Sequence, residues 1–297
     1  MFTGCGTALV TPFRQDESLD EAALRKLVRR QIDAGINFLV PCGTTGESPT
    51  LEHEEHLRVV EITLEEARGK VPVLAGAGGY NTKHVISLVQ QLEKMRADGI
   101  LSVTPYYNKP TQEGLFQHYK AIAESTKLPI VVYSVQSRTG VNVEPATLAR
   151  LAEFRNIVGV KEASGNVGQM AKVVASVPES FTMFSGDDTL TLPVIALGGR
   201  GIISVVSNQI PAEMTRLAAA AMSGDLQTAQ NLQRKFQELM DVNFIESNPI
   251  PVKYGMSLMR LLEPVWRLPM TPPQLASQQK IESVMRKTGL LGGAASA

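Results

Sequence analysis

The stretch Gly6-Thr7-Ala8-Leu9-Val10-Thr11-Pro12-Phe13 decides the fold. A short apolar run of this kind reads as a strand buried on both faces of a parallel sheet. The residues just after the run separate two α/β architectures. A doubly wound nucleotide-binding sheet wants a glycine-rich phosphate turn after its first strand, and Thr11-Pro12-Phe13 cannot serve as one. The alternative is a closed barrel, which needs seven more strand-helix units of the same kind.

Those units are present. Ser18-Leu19-Asp20-Glu21 has capping-box spacing and opens a helix with Leu24, Leu27, Val28 and Ile32 on one face, ended by Gly35. Further apolar runs fall at residues 38–40, 71–75, 100–103, 129–132, 157–160, 181–184 and 202–206. Each precedes residues with helical periodicity: Leu57, Val60, Leu64 and Ala67; Val85, Leu88, Val89 and Leu92; Leu115, Tyr119 and Ile122; Leu148 and Leu151; Met170, Val173 and Val177; a short apolar helix before Gly198-Gly199; and Met214, Leu217 and Ala221. Eight βα units in about 220 residues predict an α/β protein of the (β/α)8 TIM-barrel class. The catalytic barrel is assigned to residues 1–224. Residues 225–297 carry no strand signal and are predicted as a C-terminal helical extension, with faces made by Leu232, Phe236, Leu239 and Met240 and then by residues 250–262. Residues 292–297 are small and read as a frayed tail.

Composition narrows the function. The 297 residues carry 29 Lys+Arg against 29 Asp+Glu, and a neutral chain with few aromatics lacks the basic footprint of a nucleic-acid binder. No apolar run reaches the roughly 18 residues of a membrane span, and the N-terminus has no signal-peptide pattern. The two cysteines, Cys5 and Cys42, form no disulfide framework, so a reducing cytoplasm is the expected setting. Cys42 reads as a buried structural thiol. His53 and His56 lack further ligands and belong at a helix start beside Glu52, Glu54 and Glu55, so no metal is expected. Gly76, Gly78 and Gly79 do not have dinucleotide-loop spacing.

Barrel enzymes place their chemistry at the C-terminal ends of strands. Those ends gather Gly43-Thr44-Thr45-Gly46-Glu47, Thr104-Pro105-Tyr106-Tyr107-Asn108, Tyr133-Ser134, Lys161-Glu162, Ser185-Gly186-Asp187-Asp188, and Ser204 with Ser207. Lys161 ends the run Ile157-Val158-Gly159-Val160. It is either a lysine that snorkels to solvent or an amine nucleophile that forms a Schiff base with a carbonyl substrate. Tyr133, on the neighbouring strand, is either a core tyrosine or a proton relay for that chemistry. The Gly43–Gly46 turn exposes N–H groups suited to a carboxylate, and Arg138 suits bidentate capture of another.

Together these stretches resemble the dihydrodipicolinate synthase family of pyruvate-dependent Schiff-base aldolases. The likeness adds Asn108-Lys109-Pro110, Arg138-Thr139, Gly159-Val160-Lys161-Glu162-Ala163-Ser164-Gly165, Gly4-Cys5-Gly6-Thr7-Ala8, Asn248-Pro249-Ile250-Pro251-Val252-Lys253 and Arg267-Leu268-Pro269-Met270, and so covers nearly the whole chain. The resemblance implies that Lys161 condenses with pyruvate, and that the enamine attacks L-aspartate 4-semialdehyde in the route to diaminopimelate and lysine. It implies a proton relay of Tyr133, Thr44 and Tyr107, with Tyr107 supplied by a neighbouring subunit of a homotetramer, a dimer of dimers. It gives Thr44 and Thr45, with backbone at Gly186 and Ile203, to the pyruvate carboxylate, and Arg138 to the semialdehyde carboxylate. No cofactor is implied.

Two departures stand out. Ser134 and Gln136 replace the asparagine and proline usual in the family, which predicts a looser loop under Arg138. The family's lysine-feedback residues are matched by Ser48, His53, His56 and Tyr106, whereas Tyr80 and His84 replace an amide and a carboxylate, predicting weak or absent lysine inhibition. Related aldolases acting on N-acetylneuraminate, 2-keto-3-deoxy sugar acids or hydroxyproline-derived keto acids would keep Lys161 and Tyr133. A barrel that only binds a keto acid is the reading from another class.

Overall fold

The computed structural model describes residues 2–292; the tail expected over residues 292–297 lies, from 293 on, outside them. The chain runs β1 (Gly4–Ala8), α1 (Glu21–Asp33), β2 (Phe38–Val40), α2 (His53–Ala67), β3 (Leu74–Gly76), α3 (Thr82–Lys94), β4 (Gly99–Val103), α4 (Gln112–Glu124) and β5 (Ile130–Ser134). It continues through α5 (Gln136–Thr139), α6 (Pro145–Leu151), β6 (Ile157–Glu162), α7 (Val167–Ser176), β7 (Thr182–Ser185), α8 (Thr191–Ala196), β8 (Gly201–Ser204) and α9 (Pro211–Ser223). Three helices complete it, α10 (Leu226–Val242), α11 (Ile250–Leu258) and α12 (Leu275–Lys287).

All strand pairs are parallel, in the order β2-β1-β8-β7-β6-β5-β4-β3. The two ends of this series meet through a parallel bridge between Leu39 and Val73 and through the hydrogen bonds Leu39 N–H to Pro72 O (3.0 Å) and Gly76 N–H to Pro41 O (2.9 Å). The result is the TIM barrel that the strand-helix count predicts.

Period-two alternation divides the apolar residues into two shells. Ala8, Phe38, Leu74, Leu101, Val131, Tyr133, Phe184 and Ile203 form one cluster that fills the barrel. Their neighbours Leu9, Leu39, Ala75, Ile100, Val132, Val160, Met183 and Ile202 join a larger cluster with the helices. Phe38 takes the barrel centre, edge-on to Phe2 (5.4 Å) and Phe184 (5.5 Å), and its burial contributes about 1.5–3 kcal/mol. It fits only because residue 6 is glycine: a Cβ there would stand 2.1 Å from the Phe38 ring. Gly76 is required likewise, since its Cβ would meet Cys42 O at 2.0 Å.

One local expectation is corrected. The N-cap of α1 is Asp20, whose carboxylate accepts the Ala23 N–H at 3.0 Å. Ser18 bonds Asp16 instead. Leu19 bridges back to Phe13, so the chain has not entered the helix at Ser18, and Asp20 is the next residue with a capping side chain. On α2 the buried face is Val59, Val60, Ile62, Thr63 and Ala67, whereas Leu57 and Leu64 are half-buried. The C-terminal helices pack on the barrel, α10 against α8 and α9, and α11 and α12 against each other. The connection into α11 carries Asn248 to the barrel mouth.

Candidate active site

The site begins with the end of β2. Residues 43–47 form a tight reversal in which Gly46 N–H donates to Gly43 O and Glu47 N–H to Thr44 O, both at 3.1 Å. Cys42 and Glu47 adopt left-handed backbone, with φ of 56° and 53°. From outside the turn, Thr11 Oγ1 donates to Gly46 O at 2.7 Å. The turn presents Thr44 half-buried and Thr45 buried, and Asn248 Nδ2 donates to Thr45 Oγ1 at 3.0 Å.

Tyr133 and Lys161 are register partners on β5 and β6. Both are buried, at 6% and 4% exposure, and Lys161 Nζ sits 4.3 Å from the centre of the Tyr133 ring. Alternation along β6 separates Lys161 from the next residue. Glu162 is buried on the helix-facing side, where its carboxylate accepts from Ser164 N–H (2.6 Å) and Gln169 Nε2 (2.8 Å). The lysine therefore has an aromatic face as its neighbour and the adjacent carboxylate is engaged elsewhere, an arrangement suited to amine chemistry in a dry site.

Arg138 is exposed and rides on α5, a single helical turn closed by Gly140 N–H to Gln136 O at 2.9 Å with Gly140 at φ 74°. Thr139 Oγ1 donates within the same turn, and Ser134 Oγ accepts the Val143 N–H at 3.3 Å. These hydrogen bonds close the turn that carries Arg138. Arg138 Nη2 donates to Asn248 O at 3.0 Å. Asn248 therefore touches both groups expected to bind carboxylates, the Thr45 hydroxyl and the Arg138 guanidinium.

A cavity of about 350 Å³ at this end of the barrel is lined by Thr44, Tyr133, Arg138 and Asn248, and also by Ser48, His56 and Tyr106. Thr44 and Arg138 from the expected substrate groups, the expected relay residue Tyr133 and half of the expected effector groups thus share one cavity. Lys161 lies beside it through Tyr133. Thr45, Gly186, Ile203, His53, Tyr80 and His84 are not in its wall. The Gly186 N–H is engaged by Glu162 O at 2.8 Å, so an N–H donor for a carboxylate is not what Gly186 offers. Ile203 is buried with the barrel filling. Tyr107, also outside the cavity wall, is 92% exposed with φ 69°.

Among the effector candidates, His56 Nε2 pairs with Gly76 O at 2.9 Å. Burial lowers its pKa below the usual imidazole value, with the Gly76 carbonyl pulling the other way, so it is neutral near pH 7. Tyr106 stacks edge-on to Tyr80 at 5.3 Å, and burial, then Tyr80, raises its phenol pKa. His53 pairs with Gln91 and His84 is exposed. Cys42 is a buried thiol pushed far up by desolvation. Among the described residues no group of three or more His, Cys, Asp or Glu side chains could hold a metal ion, and no helix is long and apolar enough to cross a membrane.

Three buried ionisable groups, Glu47, Lys253 and Asp188, are given no role by the sequence. Glu47 and Lys253 form an ion pair at 2.5 Å, with side chains 2% and 0% exposed. Removing either partner of such a pair costs about 3–5 kcal/mol, because the other charge is left buried. Asp188, after β7, accepts the N–H groups of Val205 and Val206 at 3.0 Å each. Desolvation raises its pKa to about 6, against the pull of those hydrogen bonds. The stretches Gly43–Glu47 and Asn248–Lys253 signal importance in the sequence, but their contact spans 206 residues and has no local pattern.

Known proteins share this sequence pattern and this geometry. A model described as the dihydrodipicolinate synthetase family matches residues 1–288. The 4-hydroxy-tetrahydrodipicolinate synthase of Koribacter versatilis is 51% identical, over 98% of this chain and 97% of its own length. That of Chloroherpeton thalassium is 49% identical, over 99% and 98%. The crystal structure of dihydrodipicolinate synthase from Thermotoga maritima superposes with a TM-score of 0.96 at 47% identity, over 98% of this chain and all of that one.

Proposed function

The chain belongs to the dihydrodipicolinate synthetase family, and from that premise we propose that it is a lyase with 4-hydroxy-tetrahydrodipicolinate synthase activity, condensing pyruvate with L-aspartate 4-semialdehyde. The observation that carries this reading is Lys161, buried at the end of β6 with its Nζ over the ring of Tyr133.

In the proposed reaction Lys161 Nζ adds to the pyruvate carbonyl, and the carbinolamine loses water to give an imine. Tyr133 and Thr44 relay the protons that this addition and dehydration require. Loss of a methyl proton turns the imine into an enamine, whose carbon attacks the aldehyde of the second substrate. The amino group of that substrate then attacks the imine carbon, the ring closes and Lys161 leaves as the free amine. Thr44 and Thr45 grip the pyruvate carboxylate and Arg138 the other carboxylate, where charge-assisted hydrogen bonds are strongest. Tyr107, exposed in the single chain, completes the relay of a neighbouring subunit in a homotetramer built as a dimer of dimers. The setting is cytoplasmic biosynthesis, and no cofactor takes part.

Borohydride reduction in the presence of pyruvate is expected to leave a covalent adduct on Lys161, and none on Lys161→Ala. Condensation is expected with L-aspartate 4-semialdehyde and not with a panel of sugar aldehydes. Arg138→Ala should still trap pyruvate while condensing about 10- to 150-fold more slowly, the loss expected for one charged hydrogen-bonding group. Absence of an adduct in the parental protein overturns the Schiff-base reading; an adduct with preference for sugar aldehydes moves the activity to a related aldolase.

A further inference from the structure

Glu47 comes two residues after Thr45 in the turn, and its N–H is bonded to Thr44 O at 3.1 Å. Any displacement of Glu47 therefore reaches Thr44 through one hydrogen bond. Its carboxylate is held by Lys253 Nζ through Oε1, while Oε2 is buried without a partner among the described residues. Lys253 alone thus orients the group. The other flank of the threonine pair is held from the same segment, since Asn248 Nδ2 donates to Thr45 Oγ1. Lys253 lies in the first turn of α11, its N–H bonded to Pro249 O at 3.0 Å.

The segment is anchored beneath. Lys253 Nζ lies 4.4 Å from the centre of the Phe13 ring, and the Arg267 guanidinium lies 4.2 Å from it. Arg267 makes a bidentate pair with Glu55 and donates to Thr50 O. Phe13 itself is wholly buried, just after β1. The 248–253 segment is thereby tied to α2, to the β1 loop and to both sides of the threonine turn.

A buried ion pair is on average no more stabilising than apolar side chains of the same volume. What it provides that apolar contact does not is one defined geometry between two segments far apart in sequence. We propose that Glu47 and Lys253 are positioning residues for the pyruvate carboxylate: their ion pair sets the height of the Thr44–Thr45 turn in the site. The proposal rests on the reading that this turn grips pyruvate.

The test uses the full-length protein with Glu47→Gln, Lys253→Met and the double variant Glu47→Gln/Lys253→Met, comparing Tm, pyruvate KM, kcat and borohydride trapping. Each single variant leaves a buried charge or polar group unmatched and should lower Tm. The double variant buries no unpaired charge and should recover part of that Tm, the remaining loss being that of a buried amide without a partner. Its pyruvate KM should nonetheless stay raised about tenfold or more, as expected for a misplaced binding group, with kcat at saturating pyruvate within about threefold and trapping still complete. A double variant that regains parental KM along with part of the Tm assigns the pair a merely structural role and overturns the proposal. Should the double variant be insoluble, Glu47→Asp decides. It keeps the charge and shortens the reach by one methylene, and is expected to raise pyruvate KM about threefold or more; an unchanged KM overturns the proposal. Absence of a pyruvate adduct in the parental protein overturns both this proposal and the function on which it rests. An adduct there, with parental KM in the variants, sinks the positioning role alone.

Discussion

Replacing Tyr133 by phenylalanine separates the ring of this residue from its hydroxyl. The ring belongs to the apolar cluster that fills the barrel, and Lys161 Nζ lies 4.3 Å from its centre. That contact is worth about 0.5–2 kcal/mol, and Phe keeps it along with the packing. Stability should therefore change by no more than about 0.5 kcal/mol, as for a change that leaves no cavity. The hydroxyl is another matter. If it relays protons during carbinolamine formation and dehydration, its loss should slow the reaction by about 10²–10⁴-fold, which is roughly 2.7–5.5 kcal/mol of transition-state stabilisation. The assay is twofold: steady-state condensation, and the rate at which a borohydride-trappable imine accumulates when enzyme exceeds pyruvate. The imine should still form on Lys161, but slowly, and Tm should be parental. A Tyr133→Phe protein with parental Tm whose kcat falls by less than about threefold would refute the relay. Tyr133 would then be a wall of the lysine's pocket and nothing more.

Two other outcomes are expected from the structure. Lysine should inhibit weakly or not at all, because Tyr80 and exposed His84 stand where the resemblance places an amide and a carboxylate, and the one carboxylate in the cavity wall, Glu47, is committed to Lys253; strong inhibition in a sub-millimolar lysine titration sinks this. Asp188 has a pKa raised by burial from 3.8 to about 6, so between those values the folded state binds more protons than the unfolded state and stability falls as pH rises, by about 3 kcal/mol in all. Asp188→Asn keeps an oxygen for Val205 and Val206 and cannot ionise, so its urea-denaturation free energy should lack that fall between pH 4 and 6; parallel curves for the two proteins contradict it.

The strand-helix alternation was legible because a parallel barrel writes itself locally. Each buried strand must be apolar over four or five residues, and each helix must repeat its apolar face every three to four. The chemistry at strand ends was legible for the same reason: Lys161 and Tyr133 each close a run whose direction is known. Sequence is ambiguous where two local devices compete, as at Ser18 and Asp20, and where an apolar periodicity has two adjacent solutions, as on α2.

Sequence by itself determined the class of fold, the order of its units and the candidate nucleophile, because those depend on residues within one turn or one strand of each other. Tertiary structure alone decided which candidates share a cavity. It joined Ser48, His56 and Tyr106 to Thr44, Tyr133 and Arg138, and it left Tyr107 exposed. It also decided that Asn248 and Lys253, more than 200 residues from Thr45 and Glu47, hold the threonine turn from the C-terminal helices. The physical reason is that an ion pair or a hydrogen bond depends on distance in space. Chain separation leaves that distance unspecified until the barrel has closed and the last helices have packed on it.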